Sequence, residues 1–336
     1  MMAASARIPA TVVTGFLGAG KSTLLRRILT ERHGRRIAVV ENEFAEENID
    51  SDILVESGAE QIIQMSNGCV CCSIRDDLRA TLGDLARRRA QGEIAFDQVL
   101  IETTGLADPG PIAQTFFLDP EIAAQYRPDA ILTLVDARFG PGQLTERQEA
   151  RRQVGFADRL FLTKGDLVSA ESLDALADNL RHLNPSAPQS RVHFGDVDLR
   201  QVFDVGGFNL SADLDPLPDG IDEHHHVGIE RGHHAHHCSD VNSLVFRSER
   251  PLNPRRFGQF LNAVITSHGP RLLRYKGVLN LAGQEQKVIL QGVHELVSYD
   301  AGTTWGSAEP RLSKLVFIGL GLPREIFLKA LADCVM

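Results

Sequence analysis

Nine residues, GFLGAGKST at 15–23, constrain this chain more than any other stretch. They fit the spacing G-x-x-x-x-G-K-[ST] through Gly15, Gly20, Lys21 and Ser22. The apolar run IPATVVT (8–14) precedes them and the helical pattern STLLRRILTERHG follows, with Gly34 as its expected C-cap. The motif therefore sits where it must, between a strand and a helix. Glycines let the backbone N–H groups around Gly18, Ala19 and Gly20 converge on phosphate oxygens, and the helix N-terminus adds the positive end of its dipole. In such a loop Lys21 reaches the β- and γ-phosphates, Ser22 offers its hydroxyl to Mg²⁺ and Thr23 is placed to reach the α-phosphate. A glycine turn that merely joins strand to helix is the plainer reading, and it loses ground because motif and context agree.

Further apolar runs repeat the alternation. RRIAVVENE, FDQVLIETT (96–104), PDAILTLVDA (128–137) and ADRLFLTK (157–164) suit strands buried on both faces, and RDDLRATLGDLARRRA (75–90) and ESLDALADNLRHL (171–183) are helical patterns between them. Strands alternating with helices predict βαβ units and a parallel sheet. The regime fades near residue 200. Residues 204–240 hold DVGGFNL, DLDPLPDGIDE and HHHVGIERGHHAHHC, and read as a linker. From Val241 the strand-like runs VNSLVFRS, LRYKGVLNLA, EQKVILQGV and SKLVFIGL outnumber the helical PRRFGQFLNAVITS and REIFLKALADCV. The expected fold is α/β: a P-loop NTPase with a mainly parallel sheet over 1–203, a His-rich linker over 204–240 and a small α+β C-terminal domain over 241–336.

Two strand ends carry the next signals. LTKGDL (162–167) is a variant of the N-K-x-D element of GTPases. Asp166 would accept hydrogen bonds from the ring N–H and exocyclic amino group of guanine, which adenine cannot supply, and Lys164 would lay its stem along the ring. Thr163 stands where asparagine is usual. VLIETTG (99–105) ends a strand with an acid and then a glycine. In nucleotide hydrolases this position holds Mg²⁺ through water and senses the γ-phosphate, which casts Glu102 and the backbone N–H of Gly105 in those parts beside Lys21. Bland readings remain beside these: a chance Lys-Gly-Asp loop, and a strand-end carboxylate in solvent.

Bulk properties narrow the partners. The chain has 336 residues and a net charge of −9. With its pI near 5.7, such an acidic surface argues against a general nucleic-acid or anionic-membrane binder. No apolar run approaches the roughly 18 residues of a spanning helix. The start, MMAASARIPA, lacks the apolar stretch of a secretory signal. The expected location is the cytoplasm, where thiols stay reduced.

That setting sharpens NGCVCCS, 67–73, where three of the five cysteines fall together. Cys69, Cys71 and Cys72 admit four readings: reduced core thiols, a Cys69–Cys72 redox pair, a strained vicinal Cys71–Cys72 disulfide, or a metal site. Thiolates select Zn²⁺ above all, with Co²⁺ and Cu⁺ as alternatives. In an extended segment Cys69 and Cys71 share a face and Cys72 points away, so a further ligand must come from elsewhere. ENEFAEE (41–47) supplies candidates in Glu41, Glu43 and Glu46, where GTPases keep the loop that answers to the γ-phosphate; a solvated acidic loop is the competing reading. His224, His225, His226, His233, His234, His236 and His237, with Cys238, form a separate run able to hold Zn²⁺, Ni²⁺ or Co²⁺ loosely, or a neutral insertion.

Together GFLGAGKST, VENEFAE, NGCVCCS, IETTGLADPGP and the late LLRYKG resemble the CobW-type GTPases, a metallochaperone branch of the P-loop GTPases, along almost the whole chain. The resemblance implies a GTP hydrolase that binds Zn²⁺ or a related ion (Co²⁺ or Ni²⁺) and hands it to a client metalloprotein or a cofactor pathway. The implied metal ligands are Glu41, Glu46 and Cys71 with Cys69 or Cys72. Ala45 departs from the glycine usual after NEF, and Thr163 from asparagine. The resulting expectation is a slow GTPase whose nucleotide state sets metal affinity; a homodimer is left open. Its rivals are a signalling or assembly GTPase with structural cysteines, a P-loop small-molecule kinase, and a passive metal store run by the histidines.

Overall fold

A computed structural model describes residues 7–31, 33–41, 74–208, 241–307 and 309–336. The chain divides into two compact units, residues 1–180 with 187–209, and residues 181–186 with 210–336.

In the first unit the elements run β1 (Ile8–Gly15), α1 (Lys21–Thr30), β2 (Ile37–Glu41), α2 (Ile74–Ala90), β3 (Gln98–Glu102), α3 (Pro109–Leu118), α4 (Pro120–Gln125), β4 (Tyr126–Asp136), α5 (Gly140–Glu146), α6 (Gln148–Phe156), β5 (Arg159–Thr163), α7 (Ala170–Leu183) and β6 (Gln189–Val192). The six strands form one sheet in the order β2-β3-β1-β4-β5-β6, every pairing parallel. Parallel strands must be covered on both faces, which explains their near-continuous burial: Val12, Val13, Val99, Leu100, Ile131, Leu132 and Phe161 are all at most 3% exposed. Leu24, Leu25, Ile28 and Leu29 of α1 close one face of the core. Because β1 lies between β3 and β4, the chain leaves the middle of the sheet for one edge and later fills the other. Such a switch point opens a crevice beyond the carboxyl ends of the strands, where ligands of open α/β sheets bind.

Boundaries differ from the sequence-based expectation in understandable ways. The first helix ends at Thr30, with Glu31 as an extended C-cap. Gly34 adopts φ +70° but lies beyond that end, so it turns the loop into β2 and is not the C-cap expected of it. The run PGPIAQTFFL, which opens with a turn-like Pro-Gly-Pro, is α3: Asp108 caps it by accepting from Gly110 N at 2.9 Å, and its prolines fall in the first turn, where no N–H is needed. β6 was not visible because QSRV carries one apolar residue.

The second unit orders β7 (Val241–Ser248), α8 (Pro254–His268), β8 (Leu272–Leu279), β9 (Gln286–Val293), β10 (Leu296–Thr304), β11 (Ser313–Leu320) and α9 (Arg324–Ala332). Its five strands form an antiparallel sheet, β10-β9-β8-β11-β7. Alternate residues of these strands, among them Leu244, Phe246, Tyr275, Leu315 and Phe317, build a core with Phe257 and Phe260 of α8 and Phe327 of α9. Phe317 meets Phe260 and Phe327 edge to face and stacks on Tyr275. β10 went unread because its residues are mostly exposed and offer no apolar stripe. Among the described residues no helix is long and apolar enough to cross a membrane.

Candidate nucleotide and metal site

The turn after β1 is built by backbone constraints. Gly15 pairs with Leu134 of β4 and takes φ +144°. Ala19 N donates to Phe16 O at 3.1 Å, and Gly20, at φ +98°, stands at the N-cap of α1 without any side-chain cap. The first N–H groups of a helix need partners from outside it, so an uncapped start behind a glycine turn is a ready cradle for an anion. Lys21, the first residue of α1, is 9% exposed. Its Nζ donates to Gly15 O at 2.9 Å and Phe16 O at 3.5 Å, curled over the loop. Burial pulls its pKa below the usual lysine value, and the nearby Glu102 charge opposes that shift.

Glu102 stands at the end of β3, beside β1. Its Oε1 accepts from Ser22 Oγ at 3.0 Å. A hydroxyl and a carboxylate brought together at a helix start form an oxygen-only donor set, which fits a hard divalent cation such as Mg²⁺. Thr23 follows Ser22 on the first turn of α1. Beyond Glu102, Thr103 N donates to Val13 O at 3.0 Å and Thr103 Oγ1 to Thr14 Oγ1 at 2.8 Å, fastening this strand end to β1. Gly105 follows, buried against Leu17 of the loop.

Lys164 and Asp166, the residues expected at the base, follow the end of β5, next to the end of β4. Lys164 adopts the left-handed region at φ 56°, a strained choice for a lysine. Its Nζ donates to Gly18 O at 2.6 Å and lies 2.7 Å from Asp136 Oδ2. Asp136 is 1% exposed, and its Oδ1 accepts from Arg138 N and Phe139 N. Thr163 Oγ1 donates to Ala19 O at 2.8 Å and Val135 O at 3.3 Å. The unusual threonine thus ties β5 to the phosphate loop. Asp166 faces His193, with Nδ1 3.3 Å from its Oδ1. Asp136 and His193 escaped the sequence reading; for Asp136 the one available signal was an acid at a strand end in LTLVDA.

Of the expected metal ligands, Glu41 is described: it ends β2, and its register partner on β3 is Glu102. Glu43, Glu46, Cys69, Cys71, Cys72, Cys238 and the seven histidines lie outside the described residues. Among the described residues no three or more His, Cys, Asp or Glu side chains gather as a metal centre. Cys334 is buried in the second unit with Sγ 3.2 Å from Ala330 O, and burial, aided by Asp333, raises its thiol pKa. It reads as a core thiol.

A six-stranded parallel sheet, a glycine loop on its central strand and an acid on the next strand together define a P-loop nucleotide-binding domain of the GTPase kind. Comparison with known families agrees: the CobW/HypB/UreG nucleotide-binding domain matches residues 9–191, and the Cobalamin synthesis protein cobW C-terminal domain matches 241–335. The chain belongs to the CobW family. It is 39% identical over 320 residues to the zinc chaperone YjiA of Escherichia coli (strain K12), covering 95% of this chain and 96% of that one. It is 30% identical over 342 residues to the zinc chaperone CobW of Sinorhizobium sp, covering 94% and 93%. The crystal structure of the Zn(II)-bound YjiA GTPase from E. coli superposes with a TM-score of 0.79 at 35% identity, over 99% of this chain and 100% of that one.

Proposed function

We propose that this chain is a cytoplasmic GTP hydrolase that carries a transition metal, zinc first, to a client metalloprotein or cofactor pathway, with nucleotide state setting metal affinity. Relatives named zinc chaperones and a Zn(II)-bound GTPase support the pairing of the two activities. In this reading Lys21 and the N–H groups of Gly18 to Ser22 bind the β- and γ-phosphates, with Thr23 at the α-phosphate. Ser22 and Glu102 would hold Mg²⁺, which would supply charge neutralisation at the phosphate oxygens. Gly105 offers its N–H to the γ-phosphate. Lys164 and Asp166 recognise guanine. Glu41, Glu46 and Cys71, with Cys69 or Cys72, take the cargo ion.

One observation carries the coupling. Glu41, proposed to ligate the cargo, is the register neighbour of Glu102, which accepts from the Ser22 hydroxyl. A change at the phosphate end of β3 therefore has one strand spacing to cross before it reaches Glu41. Linkage requires metal to alter GTP affinity by the same factor that GTP alters metal affinity, about 5- to 150-fold in typical cases. Titrating Zn²⁺ into apo, GDP-bound and GTP-analogue-bound protein tests this. Different affinities are expected in the three forms, and equal ones would remove the coupling.

Base recognition has its own test. Asp166→Asn exchanges one carboxylate acceptor for an N–H donor facing guanine donors. GTP affinity is expected to fall about tenfold and xanthosine triphosphate affinity to rise. Competition for a fluorescent nucleotide measures both, and an unchanged GTP affinity would remove Asp166 from the base site.

A further inference from the structure

The loop after β3 is gripped from an element with no assigned part in the chemistry. Gln153 of α6 is 1% exposed, and its Nε2 donates to Gly105 O and Ala107 O, each at 3.1 Å. Its neighbour Arg152 places Nη1 2.5 Å from Oδ2 of Asp108, the residue that caps α3. Consecutive residues of one helix thus hold both ends of the turn 105–108. On its other side Gly105 touches the phosphate loop: a Cβ there would lie 2.7 Å from Leu17 N and 2.6 Å from Leu17 Cδ2.

The grip has a cost and a purpose. Among the described residues Gln153 Oε1 has no hydrogen-bond partner. A buried amide left half satisfied is costly, and an apolar side chain of similar volume would avoid that cost. What the glutamine supplies in return is its N–H₂ on two carbonyls. Glycine, moreover, has the widest backbone freedom of any residue, so a glycine N–H meant for a phosphate needs restraint from outside. Leu17 supplies that restraint on one side and Gln153 on the other.

We infer that Gln153 is a positioning residue for hydrolysis, with Arg152 as its second grip: together they hold Gly105 so that its N–H is already aimed when the terminal phosphate of GTP arrives. The inference rests on the proposal that Gly105 meets that phosphate. GDP lacks the phosphate in question, so its binding is independent of the grip.

Gln153→Met keeps the volume and removes the donor. Gln189→Met is a control for losing a glutamine amide away from this loop: Gln189, half-buried on β6, donates from Nε2 to Ala177 O at 3.0 Å, and its Oε1 likewise lacks a described partner. For Gln153→Met the GTPase kcat is expected to fall about tenfold while KM for GTP and affinity for a fluorescent GDP stay within about twofold. Gln189→Met is expected to lower the melting temperature modestly and to leave kcat within about twofold. An unchanged kcat in Gln153→Met, a parallel loss of GDP affinity, or an equal fall in Gln189→Met overturns the assignment. Should Gln153→Met not fold, Arg152→Gln, at a partly exposed position, decides by the same measures with about a threefold fall expected. If the unaltered protein hydrolyses no GTP, the proposed function fails first and the positioning role falls with it; hydrolysis that Gln153→Met and Arg152→Gln leave untouched overturns the positioning role alone.

Discussion

Lys21→Ala is expected to lower GTP hydrolysis by about a hundred- to a thousandfold, the range for losing one preorganised donor to developing charge. The geometry explains why no neighbour compensates. The amine comes from the first residue of α1, its Nζ reaches the carbonyls of Gly15 and Phe16, and it sits beside Glu102. Burial strips it of water, so its interaction with a phosphate is screened less than at a surface. Its desolvation is already met within the folded loop, so little reorganisation is left for the reaction itself. Single-turnover hydrolysis measures the loss, and a rate within about threefold of the unaltered protein would exclude a phosphate role for Lys21. Zinc binding to the nucleotide-free variant is expected to be unaffected, whereas Cys71→Ala should weaken zinc binding and spare nucleotide. That reciprocal pattern separates loss of one site from general unfolding.

Gly15→Ala is expected to destabilise the first unit by about 3 kcal/mol or more, enough to abolish nucleotide binding through loss of the fold. A Cβ at this position would lie 2.5 Å from Leu134 O and 3.1 Å from Leu134 N, at φ +144°. The obstacle is backbone, so no rotamer change relieves it. The central pair β1 and β4 would have to separate where Gly15 and Leu134 are in register. Gly18→Ala is the contrast: it also has positive φ, at +76°, but a Cβ there meets nothing within 4 Å. Only the left-handed strain of about 1–2 kcal/mol remains. Urea denaturation followed by far-UV circular dichroism resolves the two, and a Gly15→Ala protein melting with the unaltered one would show that β4 can yield.

Some of this was legible in the residues and some was not, for definite reasons. The phosphate loop is local: three contiguous turn positions, Gly18 to Gly20, hold glycine or alanine, a lysine follows, and a helix begins. Strands buried on both faces also announce themselves as unbroken apolar runs, so the parallel sheet could be foreseen from β1 to β5. Edge strands such as β6 and β10 carry no such stripe. Thr163 shows the limit most clearly. Read as a string, it is a departure from the asparagine usual in N-K-x-D; in the fold its hydroxyl donates to Ala19 O, 144 residues away in sequence. The pairing of Asp136 with Lys164, and the hold of Gln153 on Gly105, likewise join residues far apart in the string.

By itself, then, the sequence determined the chemistry on offer: a glycine turn able to cradle phosphate, a lysine, an acid at a strand end, a Lys-Gly-Asp loop after another strand and a cluster of thiols. Tertiary structure decided which of these groups meet. A parallel sheet brings the carboxyl ends of distant strands to one edge at the spacing of neighbouring strands. Contacts there are set by strand order, which no local spacing of residues encodes.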